Sequence, residues 1–263
     1  MEILKVRVDG IGLAESRLKV RNFLLSDGQY RIFTPNPEML VKAQKDEYFR
    51  NVLNSGDLNI CDGFGIWLVT KLKELASDDC CSTGDSFERI TGVDFMLEIC
   101  KIAEETDKGI YLLGSGSDEV VKKTADNLLK QLPKLKILGA NKGPIIEEKD
   151  GEIEADDEDV INIINKVKPD IIFVAFGMGK QEKWIHEDLA KMPSVKIAMG
   201  VGGAFDYISG TVKRAPCWMR KIGLEWVYRL YEQPQRFSRI FNATIKFVFL
   251  VIILMNYGKK SGK

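Results

Sequence analysis

The chain has 263 residues, 45% of them apolar and 29% charged, with a formal net charge of zero. That composition excludes a disordered or fibrous chain and suits one large domain, or a domain with an appendage. Five cysteines (61, 80, 81, 100 and 217) form no CxxC pair and His186 is the one histidine, so a disulfide framework and a zinc site are both disfavoured.

The N-terminus "MEILKVRVDGIG" interleaves charged and apolar residues and carries no secretory signal; a reduced, cytoplasmic setting fits. Within it "RVDG" reads as an extra edge strand. Short apolar runs then alternate with helical patterns. Strands are expected at 30–34, 58–61, 109–114, 135–140, 170–177 and 195–202, and helices near 37–51, 64–75, 92–107, 117–132, 156–167 and 180–191. Runs such as "IIFVAF" do not alternate, which is the signature of strands covered on both faces. The rhythm predicts an α/β fold: a three-layer, Rossmann-like domain around a mostly parallel sheet. Ser77–Phe87 and Asn141–Gly151 read as loops. The acids of "ADDEDV" suit the start of a helix, where the dipole favours negative charge.

The end of the chain differs in character. From Lys213 to Lys263 there are eleven Lys/Arg against Glu225 and Glu232, a charge of +9, so residues 1–212 carry −9. An unbroken apolar run covers Phe247–Met255. Extended over 240–256 it would make roughly 25 Å of helix, short of a bilayer's ~30 Å hydrocarbon core. Lys246 interrupts it, and Arg236, Arg239, Lys259 and Lys260 flank it. This pattern favours an element lying in the membrane interface over one that crosses it, with an anionic membrane surface rather than nucleic acid as partner. A terminal helix packed on the protein's own core is the alternative. The division expected is a catalytic domain over 1–212 and a helical, membrane-binding appendage over 213–263.

Ligands of parallel α/β sheets bind beyond the carboxyl ends of the strands. Following the expected strands are Thr34-Pro35-Asn36-Pro37, Asp62-Gly63, Gly114-Ser115-Gly116-Ser117, Gly177-Met178-Gly179-Lys180-Gln181 and Gly200-Val201-Gly202-Gly203. Glycine turns there let backbone N–H groups approach a phosphate, and several on one edge point to a phosphate-bearing ligand. "GSGSDE" lacks the third glycine of a dinucleotide fingerprint, and there is no GxxxxGK[ST] loop, so neither a nicotinamide cofactor nor a usual NTPase is expected. No cofactor and no metal is called for. Asp62, in "LNICDGFGIW", has two readings at this point. It can accept a proton at the end of a strand, or cap the helix that follows.

The stretches "TPNPEML" (34–40), "CDGFGIW" (61–67), "ERITGVDF" (88–95), "YLLGSGSD" (111–118), "GKQEKWI" (179–185) and "VGGAFDYISGTVKRAPCWMRKIGLEWVYRLYEQPQRFSRI" (201–240) resemble the WecG/TagA/CpsF family of bacterial glycosyltransferases, glycosyltransferase family 26. The resemblance runs from about residue 5 to residue 240. It implies a metal-independent inverting transferase, peripheral on the cytoplasmic face of the membrane. Such an enzyme would take N-acetylmannosamine from a UDP-sugar donor to a polyprenyl-diphosphate-linked N-acetylglucosamine acceptor. By the same resemblance Asp62 matches the proposed base. Thr34, Asn36, Arg89 and Gln181 match polar residues around donor and acceptor, and Asp206 matches a nucleoside-side contact. Arg229, Arg236 and Arg239 match appendage arginines that close over the diphosphate. Gly114 and Gly116 supply phosphate-approaching backbone on the bottom-up reading. The chain departs from the family in having Gly179 where proline is usual and Gly143-Pro144-Ile145 where a Gly-aromatic pair is common. A glucosyl, glucuronosyl or N-acetylmannosaminuronosyl donor is the near alternative; a non-catalytic nucleotide-sugar sensor at the membrane is the alternative of another class. A homo-oligomer is compatible with either.

Overall fold

A computed structural model describes residues 1–76, 89–149, 151–232, 234–236 and 245–251. In chain order these form β1 (Glu2–Ile3), β2 (Val6–Arg7), α1 (Leu13–Leu25), β3 (Tyr30–Phe33), α2 (Pro37–Lys42), α3 (Glu47–Asn54), β4 (Leu58–Asn59), α4 (Phe64–Ala76), α5 (Gly92–Glu105) and β5 (Gly109–Gly114). There follow α6 (Asp118–Gln131), β6 (Lys136–Asn141), β7 (Ile146–Lys149), β8 (Glu152–Ala155), α7 (Glu158–Val167), β9 (Ile171–Ala175), α8 (Lys180–Asp188), β10 (Ile197–Gly200), α9 (Ala204–Ile208), α10 (Cys217–Lys221) and α11 (Glu225–Glu232). Short 3-10 turns cover Leu189–Lys191 and Pro234–Arg236.

Six strands form one sheet in the order β4-β3-β10-β9-β5-β6, and every neighbouring pair is parallel. Successive side chains of a strand face opposite ways, and here both sides are core. Ile32, Ile110, Leu112, Ile171, Phe173, Ile197 and Met199 pack with residues of α1, α5, α6 and α9. Phe33, Tyr111, Leu113, Ile172, Val174 and Ala198 pack with residues of α3, α7 and α8. Burial on both faces explains the unalternating apolar runs.

A third core cluster joins the N-terminal hairpin β1–β2 to α2, α3 and α4, through Val6, Val8, Leu40, Phe49 and Ile66 among others. The expected edge strand in "RVDG" is present in outline. Val6–Arg7 pairs back on Glu2–Ile3, and Asp9 bridges Ile60 in parallel beyond β4.

Two expectations need correction. Residues 141–151 are not a plain loop: β7 and β8 form an antiparallel hairpin, with Ile146 opposite Ala155. Its run of glutamates hid the strands, because only Ile146 is buried, Glu147, Glu152 and Glu154 face outward, and Glu148 is held in ion pairs that hydropathy does not register. The single helix expected over 37–51 is two helices. α3 restarts at the N-cap Asp46, whose side chain accepts from the Phe49 N–H at 2.8 Å. The loop expected at 77–87 lies outside the described residues. The acids before α7 do begin a helix, as expected, with Glu158 and Asp159 in its first turn.

The apolar C-terminal run is seen in part. Residues 245–251 are helical, with Phe247 and Val251 buried in the third cluster beside Met39, Ile66 and Val69. Ile245, Val248 and Phe249 are exposed. So one face of this helix packs on the core while another is uncovered. Among the described residues no helix is long and apolar enough to cross a membrane.

The glycine at the end of β5 is fixed by close approach. Gly114 has φ +115, and a Cβ there would lie 2.6 Å from the Ala175 carbonyl oxygen, which also accepts from the Ser115 N–H at 2.9 Å. Gly116, with φ +69, would place a Cβ in open space. Gly114→Ala is therefore expected to cost on the order of 3 kcal/mol. Gly116→Ala should cost about 1 kcal/mol, the backbone strain alone. Urea unfolding of the two variants checks this, and equal costs would refute the contrast.

Candidate active site

The carboxyl ends of five neighbouring strands, β4, β3, β10, β9 and β5, carry the turns singled out from the sequence. Thr34 follows β3 and is buried; Asp62 follows the edge strand β4 and is half-buried. The turns touch directly. The Asp62 N–H donates to the Pro35 carbonyl at 3.1 Å. Gly63, at φ +108, lies so close to Pro37 that a Cβ would come within 3.0 Å of its Cδ. A Cβ on Gly92 would sit 3.4 Å from Thr34 Oγ1 and 3.7 Å from Asp62 Oδ2. The first turn of α5 thus brings Thr34 and Asp62 together at a helix N-terminus, where a carboxylate is favoured. α4 begins at Phe64, so Gly63 rather than Asp62 occupies the position before the helix.

Beside them is a cavity of about 360 Å³ lined by Phe64, Trp67, Arg89, Thr91, Asp94, Cys217 and Arg220. Phe64 and Trp67 stack with their ring centroids 5.4 Å apart. Arg89 donates to the Arg220 carbonyl, so residues before and after 213 share this wall. Burial pushes the neighbouring Cys61 thiol up, as does the Asp62 charge, with Arg89 opposing.

Two other expected site residues make hydrogen bonds within the fold. The Asn36 side chain caps α2 by accepting from the Met39 N–H at 3.0 Å. Gln181 is 3% exposed. Its oxygen accepts from the Gly202 N–H at 2.9 Å, and its nitrogen donates to Glu182 Oε1 at 2.7 Å. It therefore ties the start of α8 to the turn after β10. Gly177 and Gly116 both face open space at their strand ends. Asp206 sits half-buried in α9, which follows β10 and packs on α6 and α5. Arg229 lies in α11 and Arg236 ends the second 3-10 turn, but only their backbone positions are described; Arg239 is outside the described residues. His186 is half-buried, with Nδ1 2.9 Å from Ser55 Oγ, on α8 facing α3.

Several charged residues that sequence reasoning passed over are organised around this edge. Lys183 is fully buried and donates to Asp46 at 2.9 Å and to Glu148 at 2.7 Å. Lys42 also donates to Glu148, and its Nζ lies 2.7 Å from where a Gly179 Cβ would be. The network pins the β7–β8 hairpin to α2, α3 and α8. Burial would pull the Lys183 ammonium down, but its bonds to Glu148 and Asp46 hold it above its ordinary value. Thr91 and Asp94 were also missed, although T-x-x-D before an apolar run is a recognisable capping signal. Thr91 caps α5 and hydrogen-bonds Asp94 at 2.7 Å.

A parallel sheet with a carboxylate, open glycine turns and a cavity on one edge defines an α/β enzyme for phosphate-bearing ligands. Its family follows from comparison with known proteins. The profile of the WecG/TagA/CpsF glycosyl transferase family matches residues 1–261, and the chain belongs to that family. It is 35% identical to the N-acetylglucosaminyldiphosphoundecaprenol N-acetyl-beta-D-mannosaminyltransferase of Bacillus subtilis (strain 168) over 210 residues, which cover 80% of this chain and 74% of that protein. It is 29% identical to the protein of the same name from Staphylococcus aureus (strain MW2) over 243 residues, 91% of this chain and 87% of the relative.

Glu182 gives a pH signature. Burial pushes its carboxyl from the ordinary 4.5 to about 7, against the bonds from Gln181 and the Gly179 N–H. The folded state then holds a proton that the unfolded state has released, so stability falls as pH rises from about 4.5 to about 7, by on the order of 3 kcal/mol. Glu182→Gln keeps an acceptor for the Gly179 N–H and should flatten this part of the curve. Melting temperatures at pH 5 and pH 8 compare the two proteins; parallel changes would mean Glu182 is already ionised at pH 5.

Proposed function

We propose that the protein transfers N-acetylmannosamine from UDP-N-acetylmannosamine to N-acetylglucosaminyl-diphosphoundecaprenol, with inversion and no metal ion. The observation that carries this is the meeting of Asp62 and Thr34 at the first turn of α5, beside a cavity walled by aromatic rings and arginines. The names of the relatives supply the acceptor and the transferred sugar; UDP as its carrier follows from the family resemblance of the sequence.

In this reading the acceptor sugar enters the cavity with a hydroxyl toward Asp62. The Asp62 carboxylate takes the proton of the acceptor hydroxyl as that hydroxyl's oxygen bonds the anomeric carbon from the face opposite UDP. The bond from that carbon to the β-phosphate oxygen breaks, and its electron pair leaves with UDP. The open turns at Gly116 and Gly177 offer backbone N–H groups to the phosphates. Thr34 orients the reacting groups, with Asn36 holding its turn, and Gln181 acts by holding the Gly200–Gly203 turn. Asp206 serves the nucleoside. Arg229, Arg236 and Arg239 carry the charge that receives the departing diphosphate.

Residues 1–212 then form the catalytic domain and 213–263 a basic appendage that meets the cytoplasmic membrane face. The exposed Trp218, Trp226 and Tyr231 of the appendage are residue types that settle at lipid headgroups, and its charge attracts anionic lipid.

UDP release by the full-length protein on anionic vesicles, with the lipid-linked acceptor, a panel of UDP-sugars and no divalent metal, tests the chemistry. Release should require the acceptor and favour UDP-N-acetylmannosamine. Asp62→Asn should lower it by roughly 10²–10⁴-fold. Equal release by that variant would remove Asp62 as the base, and acceptor-independent results with every donor would remove the transferase reading.

Membrane attachment has its own expected outcome. The protein should co-sediment with anionic but not neutral vesicles, less so in high salt, and Trp218→Ala/Trp226→Ala should weaken this by about tenfold. Unchanged binding by the double variant would place attachment elsewhere.

A further inference from the structure

Arg214 lies in the connection between α9 and α10, and its guanidinium holds two separate elements. Nη1 donates to Asp94 Oδ1 at 2.6 Å and Nη2 to Asp94 Oδ2 at 2.7 Å, a bidentate pair; Nη2 also donates to Thr91 Oγ1 at 3.0 Å. Nε donates to Glu225 Oε1 at 3.2 Å. Asp94 and Thr91 stand in the first turn and at the cap of α5, while Glu225 begins α11. The Arg214 side chain is only 18% exposed. Burial would raise the Asp94 carboxyl, but the bonds from Arg214 and Thr91 and the nearby Arg220 outweigh it and hold it below its ordinary value.

The two elements so joined matter to the chemistry proposed above. The first turn of α5 borders both Asp62 Oδ2 and Thr34 Oγ1 through Gly92. α11 carries Arg229 and leads on to Arg236. A contact in the opposite sense reinforces the joint, since Arg89 of the core donates to the carbonyl of Arg220.

We propose that Arg214 is a positioning residue for the transfer reaction, setting the arginine-bearing α11 at a fixed place relative to Asp62. The proposal rests on the transferase reading of the site. It assigns Arg214 no contact with either substrate. Four directed bonds need a planar fork, which an ammonium cannot reproduce. A lysine at 214 would keep the charge and lose the geometry.

The test combines Arg214→Lys with Glu225→Gln, which leaves the fork on Asp94 intact and weakens only the link to α11. Hydrogen exchange read by mass spectrometry should show the amides of 225–232 exchanging about tenfold faster in both variants, with β9 unchanged. In the vesicle assay kcat should fall about 10²-fold for Arg214→Lys, with the KM for the UDP-sugar unchanged. Glu225→Gln should move both readouts the same way by less.

Faster exchange with undiminished kcat would overturn the proposal, leaving Arg214 a stability contact. Unchanged exchange would also overturn it, because α11 would not depend on Arg214. A higher KM at constant kcat would make it a donor-binding residue instead. Asp62→Asn measured alongside separates these failures from a failure of the transferase reading. If the wild-type protein itself transfers no sugar, that reading falls and the catalytic half of this proposal with it, and exchange alone decides whether Arg214 holds α11.

Discussion

All six strands of the sheet point the same way, and that one constraint organises the rest of the molecule. A parallel strand must be reached by a crossover, so helices cover both faces and every strand's carboxyl end opens on a single edge. The turns there need backbone that can bend sharply without striking the neighbouring strand, as Gly114 does against the Ala175 carbonyl. Helices restart at that edge, so it also gathers helix N-termini. An edge of this kind suits anions before any side chain is chosen, and Asp62 stands at its border.

Charge then divides the labour. The described start of the basic segment after residue 212 is tied to the elements before it. Arg214 reaches back to α5, and Arg89 reaches forward to α10. Each arginine is anchored across the boundary that the sequence suggests between catalytic domain and appendage. A similar device works on the other side of the sheet, where Lys183 gives up water entirely to hold the β7–β8 hairpin and the cap of α3. Such buried pairs cost desolvation, and what they supply is a single arrangement of elements.

The sheet was largely legible in the sequence. "GIYLLG" coincides with β5 and "IIFVA" is β9, because a strand buried on both faces has nowhere to put a polar residue. The glycine turns were legible for the same reason: few other residues take their backbone angles. Hydropathy failed where charges are paired or face outward. "KQEKWIHED" reads as a surface helix, yet Gln181, Glu182 and Lys183 are buried. The hairpin "IEEKDGEIEA" reads as a loop because one isoleucine carries its burial. Asp62 was legible as a strand-end carboxylate, but its nearness to α5 was not, since Gly92 is thirty residues away and the joining geometry is tertiary.

Phe247 is 1% exposed and sits over Gly65, where a Cβ would come within 3.3 Å of its ring. The helix that presents Phe249 and Val248 to the outside is therefore also the lid of the cluster formed by α2 and α4. A chain shortened before residue 245 would keep its sheet but leave Met39, Ile66 and Val69 without their cover. The apolar surface so uncovered would be one that the intact protein keeps from water.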